Sequence, residues 1–187
     1  TLGFVLSHSK TELILCADEC LEMVRNALAS MPNTPKNMPQ IVSMEINSGP
    51  RWQESNINPI NVNELRLPTA NTIGLLMYTS GTTGVPKGVL LSHSNLIAAG
   101  QNVCAAHNLD ADDIGLCVLP IYHINGLCVT VMGTLVSAGG LVMPRKFSAT
   151  HFWDQIYRFD CSWFSAVPTL FAYLLNDDTI PKLKRER

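Results

Sequence analysis

The sequence predicts an α/β fold with a mainly parallel sheet flanked by helices. The main observation is that short apolar runs alternate with segments of helical periodicity from residue 73 onwards. Strands that run parallel need such crossover segments between them, because the chain must return to the same edge of the sheet. The composition agrees, since 47% of the 187 residues are hydrophobic and only 15% are charged. A disordered polar chain is therefore excluded, and the length suits one domain.

The first 72 residues are predicted to contain two strands and one helix, and residues 1–9 could form the end of a further helix. The apolar run from Thr11 to Ala17 is typical of a short buried strand. In residues 18–31 apolar side chains recur at helical spacing, and Asp18 is a candidate N-cap. Residues 32–72 are rich in Pro and Asn and are predicted to form a connecting segment over the surface, with a strand at 40–46.

The pattern is regular from residue 73. Strands are predicted at 73–78, 88–91, 114–119, 141–144 and 161–167. Helices are predicted at 92–107, 126–137, 149–158 and 168–175, with Ser92 or Ser94, Ser148 and Pro168 as start signals. Together these elements predict a parallel α/β sheet with helices on its faces.

Charge and cysteine content exclude several classes of function. The net charge is −2, and the only basic cluster is Lys182 to Arg187, so we expect no nucleic-acid partner. Six cysteines without a Cys-x-x-Cys spacing are expected to be reduced and structural, which favours a cytoplasmic location. Residues 126–143 carry no charge but contain four glycines, so a buried helix and strand are expected there, not a transmembrane span. Residues 1–15 show no signal-peptide pattern, and the oligomeric state is unknown from the sequence.

The most informative segment is the phosphate loop, which we define as Tyr78-Thr-Ser-Gly-Thr-Thr-Gly-Val-Pro-Lys-Gly88. Its three glycines allow a tight turn and close approach of the backbone to a ligand. Its hydroxyl groups, its backbone N–H groups and the Lys87 ammonium suit a polyphosphate. It is not a Walker loop, because Pro86 precedes the lysine and Gly88 follows it. The alternative is a structural turn between two strands.

This loop resembles the signature of the AMP-forming acyl-CoA synthetase superfamily, which includes firefly luciferase, the 4-coumarate-CoA ligases and the adenylation domains of peptide synthetases. Residues 118–127 resemble the second motif of that family, Leu-Pro-x-x-His. Residues 141–148 and 163–169 resemble the strands and turn that follow it. The similarity is greatest to the fatty-acyl or oxalyl-CoA synthetase-like branch, and it is weakest in residues 32–72.

The resemblance implies that residues 1–187 are part of the large N-terminal domain of an adenylate-forming enzyme, a partial adenylation (AMP-binding) domain. The downstream adenine and ribose motifs and the C-terminal domain with its catalytic lysine are not among these residues, so the isolated chain is expected to be inactive. The implied function is ATP-dependent activation of a carboxylic acid, fatty or other, to acyl-AMP, followed by transfer to the coenzyme A thiol. The implied cofactors are ATP, Mg²⁺ and coenzyme A. Alternatives are a ligase with a carrier-protein or other acceptor, and a truncated nucleotide-binding fragment without turnover.

The resemblance also implies roles for individual residues. The β- and γ-phosphates would be held by Thr79, Ser80, Gly81, Thr82, Thr83 and Gly84, with added charge from Lys87, and Thr79 would reach Mg²⁺. His123 would lie at the mouth of the acyl pocket near the reacting carboxylate, with Asn125 and Gly126 lining the pocket. Lys146, or Arg145, would lie near the phosphates of coenzyme A. The catalytic residues would be His123 and Lys87.

Less specific interpretations of these residues remain open. His123 could be a hydrogen-bonded structural histidine, and Lys146 could be a solvated surface lysine. Tyr78 and Tyr122 are expected to be packing residues. Gly126 and Gly133 could leave room for an acyl chain beside their helix.

Overall fold

The computed structural model describes residues 1–31, 38–45, 49–50, 66–79 and 84–176. Ser80, Gly81, Thr82 and Thr83 of the phosphate loop lie outside the described residues, as does most of the 32–72 segment. The chain divides into two compact units. The first unit comprises Thr1–Leu67 and Tyr78–Val89, and the second comprises Pro68–Met77 and Leu90–Arg187.

The first unit is a small α/β arrangement. Its elements are α1 (Leu2–His8), β1 (Leu13–Ala17), a 3₁₀ turn (Asp18–Cys20), α2 (Leu21–Ala29), β2 (Gln40–Glu45) and β3 (Gly49–Pro50). β1 and β2 are parallel, with Leu13 opposite Gln40, and β3 is antiparallel to β2. Among the described residues of this unit, the buried core cluster consists of Leu6, Cys16, Val24, Ala27 and Leu28.

The start of α2 differs from the sequence prediction. Asp18 is the first residue of the 3₁₀ turn, which Ala17 precedes as N-cap. The N-cap of α2 is Cys20, and it makes no side-chain capping bond. The prediction that Asp18 caps the helix is therefore wrong, because the chain inserts a turn of 3₁₀ geometry before the α-helical register begins.

Two strands, β4 (Ile73–Thr79) and β5 (Lys87–Ser92), flank the phosphate loop and pair with each other. α3 (His93–His107) follows immediately. Of the two candidate caps, Ser92 is the N-cap, and its hydroxyl accepts from the Asn95 backbone N–H while the Asn95 side chain accepts from the Ser92 N–H. This reciprocal capping box holds the first turn of α3 at the end of β5.

The remaining elements belong to the second unit. They are β6 (Ile114–Leu116), a π-helix (Asn125–Val131), α4 (Met132–Ser137), β7 (Gly140–Val142), α5 (Ala149–Arg158), β8 (Trp163–Phe164) and α6 (Pro168–Leu175). β6 lies between β7 and β8, and both neighbours are parallel to it. The core packs around Leu116 and Phe152, which are 0% and 1% exposed. The predicted α/β class with parallel strands and flanking helices is confirmed.

Several element boundaries in the second unit differ from prediction. The strand predicted at 114–119 ends at Leu116, and the one predicted at 161–167 covers only Trp163–Phe164. After Leu116 one more ladder bond forms, from the Cys117 N–H to the Val142 carbonyl, before the chain turns towards Pro120, which has no N–H to donate. The helix predicted at 126–137 begins as a π-helix and becomes α-helical only at Met132.

The uncharged stretch 126–143 contains most of the π-helix, α4 and β7. Among the described residues, no helix combines the length and the apolar character needed to cross a bilayer. All six cysteines are free thiols.

Candidate functional site

A cavity of about 710 Å³ lies where the carboxyl ends of β6, β7 and β8 meet. It is lined by residues 117–122 after β6, residues 143–147 after β7, and Val167 and Leu170 at the start of α6. Ligands of parallel α/β sheets bind at this edge, because the loops that leave the strands are free to vary while the strands hold them in place. We therefore regard this cavity as a candidate substrate site within the second unit.

The charged residues of the cavity lining are both cations. Arg145 and Lys146 are exposed on the loop after β7, and the other described residues of the lining are apolar or uncharged. Neither cation has a carboxylate partner in the described part of the chain. The cavity therefore combines apolar walls with a positive rim, which suits a ligand that is anionic at one end.

Cys117 is part of the cavity lining and is 3% exposed. Its thiol donates a weak hydrogen bond to the Leu119 carbonyl, with Sγ and O 3.4 Å apart. Burial raises the pKa of the Cys117 thiol above its usual range. The sulfur therefore stays protonated at neutral pH and is not a nucleophile, because attack requires the thiolate.

His123 is held by its backbone in the turn that leads into the π-helix. Its N–H donates to the Pro120 carbonyl at 3.0 Å, and its own carbonyl accepts from the Leu127 N–H at 3.1 Å. The imidazole is exposed, lies beside the Tyr122 ring with centroids 4.7 Å apart, and makes no hydrogen bond to another described side chain. This placement favours a role towards a ligand over that of a buried structural histidine.

Gly126 is buried under the turn that carries His123. A Cβ at this position would lie 2.4 Å from the Pro120 oxygen and 2.7 Å from the Leu119 oxygen. The missing side chain therefore lets the π-helix pack directly on the Leu-Pro backbone. Gly133 is similar, because its Cβ would lie 2.9 Å from Cγ1 of Val103. Both glycines accommodate neighbouring protein atoms, so the expected room for an acyl chain at these two positions is not present.

Asn125 is engaged within the protein. Its side-chain oxygen accepts a hydrogen bond from the Ser165 hydroxyl at 2.9 Å, which ties the start of the π-helix to the segment after β8. The described residues that line the cavity include Tyr122 but not His123, Asn125 or Gly126. Their roles as pocket residues stay predictions.

The described ends of the phosphate loop face solvent. Thr79 ends β4 and Lys87 begins β5, and both are exposed. Gly84 has a φ of +79°, a conformation that favours glycine, and a Cβ there would meet nothing within 4 Å. An exposed hydroxyl, an exposed ammonium and open space over the backbone fit a polyphosphate chemically. Among the described residues, no group of three His, Cys, Asp or Glu is placed to hold a metal ion.

The predicted site residues fall into the two units. The first unit contains Thr79, Gly84 and Lys87, and the second contains His123, Asn125, Gly126, Arg145 and Lys146.

Tyr122 was expected to be a packing residue, but it is 73% exposed and lines the cavity, so that prediction is wrong. It lies in a turn after Pro120, where none of the described elements covers it. The signal that could have identified it is its position just after a strand that ends at the ligand-binding edge.

A parallel α/β arrangement, a Gly/Thr-rich loop between two strands and a cavity at the carboxyl ends of parallel strands are features that nucleotide-binding enzyme domains share. The chain belongs to the family of AMP-binding enzymes, whose family model matches residues 1–187.

Relatives within this family are CoA ligases. The chain is 42% identical over 177 residues to a sulfoacetate–CoA ligase of Cupriavidus necator, a match that covers 94% of this chain and 34% of the relative. It is 34% identical over 125 residues to an oxalate–CoA ligase of Saccharomyces cerevisiae, covering 65% of this chain and 23% of the relative. The structure of ATP-bound MatB from Rhodopseudomonas palustris superimposes with a TM-score of 0.76 at 22% identity, over 96% of this chain and 35% of MatB. The chain thus spans about a third of the length of the ligase from C. necator and of MatB.

Proposed function

We propose that the protein carrying this chain uses ATP to activate a carboxylic acid as an acyl-adenylate and then transfers the acyl group to the thiol of coenzyme A. The observation that carries the proposal is the phosphate loop, with Lys87 and Thr79 exposed at its two ends, in a chain that matches the AMP-binding family over its whole length. The CoA ligase names of the relatives support coenzyme A as the acceptor.

In the first half-reaction an oxygen of the substrate carboxylate attacks the α-phosphorus of ATP, and the bond to the β-phosphate oxygen breaks to release pyrophosphate. Negative charge increases on the departing phosphates, so positioned cations and N–H donors accelerate the step. The phosphate loop would hold the β- and γ-phosphates, and Lys87 would place its ammonium beside them. Mg²⁺, when bound, supplies further charge neutralisation, and the Thr79 hydroxyl is the residue proposed to reach it.

In the second half-reaction the thiol of coenzyme A loses its proton to water, its sulfur attacks the acyl carbon, the bond from that carbon to the AMP oxygen breaks, and AMP leaves. His123, whose exposed imidazole is proposed to contact the carboxylate in the first half-reaction, lies in the turn that borders the cavity through Tyr122. The positive rim formed by Arg145 and Lys146 is proposed to bind the phosphates of coenzyme A. The apolar remainder of the cavity would then accommodate the uncharged part of that thiol.

The substrate proposal is a small carboxylic acid. The names of two relatives specify sulfoacetate and oxalate, which are short acids with a second anionic group. A fatty acid is the alternative substrate, and a carrier-protein thiol is the alternative acceptor. The alternative that is not an enzymatic function is nucleotide binding without turnover.

The test of the proposal is acid-dependent exchange of labelled pyrophosphate into ATP by the complete protein. The panel should contain oxalate, sulfoacetate, acetate, octanoate and 4-coumarate. We expect exchange with at least one short acid and, when coenzyme A is added, formation of the thioester with release of AMP. Nucleotide binding with no exchange for any acid would contradict the proposal, and exchange without thioester formation would favour another acceptor.

The rim cations give a separate prediction for the second half-reaction. Replacing Arg145 and Lys146 together by Ala should raise the KM for coenzyme A by about tenfold or more, because two exposed charge-assisted contacts to phosphate are lost. Pyrophosphate exchange, which needs no coenzyme A, should stay within about twofold of wild type, on the same reasoning. Arg158→Ala is the matched control, since the guanidinium of Arg158, the last residue of α5, lies over the Phe159 ring and Arg158 is not among the residues that line the cavity. An unchanged KM in the double variant would remove these residues from the site.

A further inference from the structure

The start of the phosphate loop is connected to a helix of the first unit that lies far away in sequence. Nδ1 of His8, in the last turn of α1, lies 2.7 Å from the hydroxyl oxygen of Tyr78, and the two residues are 70 positions apart. The two rings also meet edge to face, with centroids 5.7 Å apart. Tyr78 immediately precedes Thr79, the residue proposed to reach Mg²⁺.

The helix that carries His8 is itself well fixed. Leu6 is part of the buried core of the first unit, and a Cβ on Gly3 would lie 2.7 Å from the Ala27 oxygen, so α1 packs closely on α2. Phe4 stacks on the His8 ring with centroids 5.4 Å apart and an angle of 20° between the planes. The contacts with Phe4 and Tyr78 therefore restrict the orientation of the imidazole.

A glycine-rich loop depends on such fixed points more than an ordinary loop does. Glycine restricts the backbone little, so in general a fixed residue at the end of a glycine-rich segment lowers the conformational entropy that is lost when a ligand binds. At the carboxyl end of the phosphate loop, Lys87 is the first residue of β5, which pairs with β4. At the amino end, the Tyr78 hydroxyl has His8 as its described partner.

We propose that His8 is a positioning residue for triphosphate binding, which acts through the Tyr78 hydroxyl to hold the amino end of the phosphate loop. The proposal rests on the proposed function of that loop. In this proposal His8 does not contact the nucleotide. The hydroxyl of Tyr78 orients the end of β4 and does not bind phosphate. The expected consequence is an effect on ATP affinity that is independent of the acid.

The test is a double-mutant cycle on the complete protein with His8→Ala, Tyr78→Phe and the combined variant. Each single variant should raise the KM for ATP in pyrophosphate exchange and the Kd for ATP without acid by about threefold to tenfold, the range for one lost hydrogen bond. The combined variant should be no worse than either single variant, because both remove the same interaction. The KM for the acid should not change.

Two further variants separate the hydrogen bond from general packing. His8→Asn should restore most of the ATP affinity, because its amide places a hydrogen-bonding atom near the position of Nδ1 while the stacking on Phe4 is lost. His107→Ala is the matched control, since His107 is also an exposed histidine stacked on an aromatic ring, that of Trp163, in the second unit. It should leave the ATP affinity unchanged.

Three outcomes would overturn the proposal while leaving the function of the loop intact. One is an unchanged KM and Kd for ATP in both single variants of a wild-type protein that catalyses exchange. Another is additive effects in the combined variant. The third is a lower thermal midpoint without any change in ATP affinity, which would make the contact purely structural. Absence of exchange and of ATP binding in the wild type would instead contradict the proposed function.

Discussion

Gly126→Ala is expected to destabilise the protein by about 3 kcal/mol, at the upper end of the usual cost of overpacking a core. The added methyl group would lie 2.4 Å from the Pro120 oxygen and 2.7 Å from the Leu119 oxygen, and both oxygens belong to backbone that cannot rotate away. The π-helix must therefore move off the turn. His123 should move with it, because its backbone is hydrogen-bonded to both Pro120 and Leu127.

Urea denaturation of the complete protein measures the stability change, and the rate of acid-dependent exchange measures the displacement of His123. Gly140→Ala is the control, since its Cβ would lie 3.1 Å from Cγ1 of Ile114, a side-chain atom that can shift slightly. This variant should stay within about 1 kcal/mol of wild type. Equal stabilities of Gly126→Ala and wild type would contradict the close packing of the π-helix on the Leu-Pro backbone.

Lys87→Met is expected to lower kcat/KM for ATP in the exchange reaction by about 100-fold, the lower end of the loss when one preorganised donor to developing charge is removed. The lysine is exposed at the end of the phosphate loop and has no described ion-pair partner, so its main effect should be on the nucleotide and not on folding. The thermal midpoint should therefore change little. Lys87→Arg, which keeps the charge, should retain more activity than Lys87→Met.

Lys10→Met is the matched control for this charge change. Lys10 is another exposed lysine of the first unit, and its replacement removes the same charge outside the phosphate loop. If Lys10→Met and Lys87→Met reduce the rate equally, the effect is one of net charge and not of position. If Lys87→Met retains full activity, the ammonium has no role in the first half-reaction.

The order of the elements could be predicted from the sequence because it follows from local patterns. α6 begins at Pro168 and ends at Leu175 as predicted, and α5 covers 149–158 as predicted. Proline at the first helical position and apolar side chains at helical spacing are properties of neighbouring residues. The lengths of β6 and β8 could not be predicted in this way, since a strand ends where its partner leaves it, and the partner is far away in sequence.

The features of the candidate site also divide into those that neighbouring residues determine and those that depend on contacts between distant segments. The phosphate loop and the Leu-Pro-x-x-His motif each consist of neighbouring residues in the sequence. The sequence alone therefore determined the family and the expected chemistry, and the family match confirms the family. Only the tertiary structure decided that Gly126 packs against the Pro120 oxygen, that Tyr122 faces a cavity, and that His8 reaches Tyr78. The physical reason is that burial, cavities and hydrogen bonds between distant residues arise when separate segments pack together, and no pattern within a single segment specifies them.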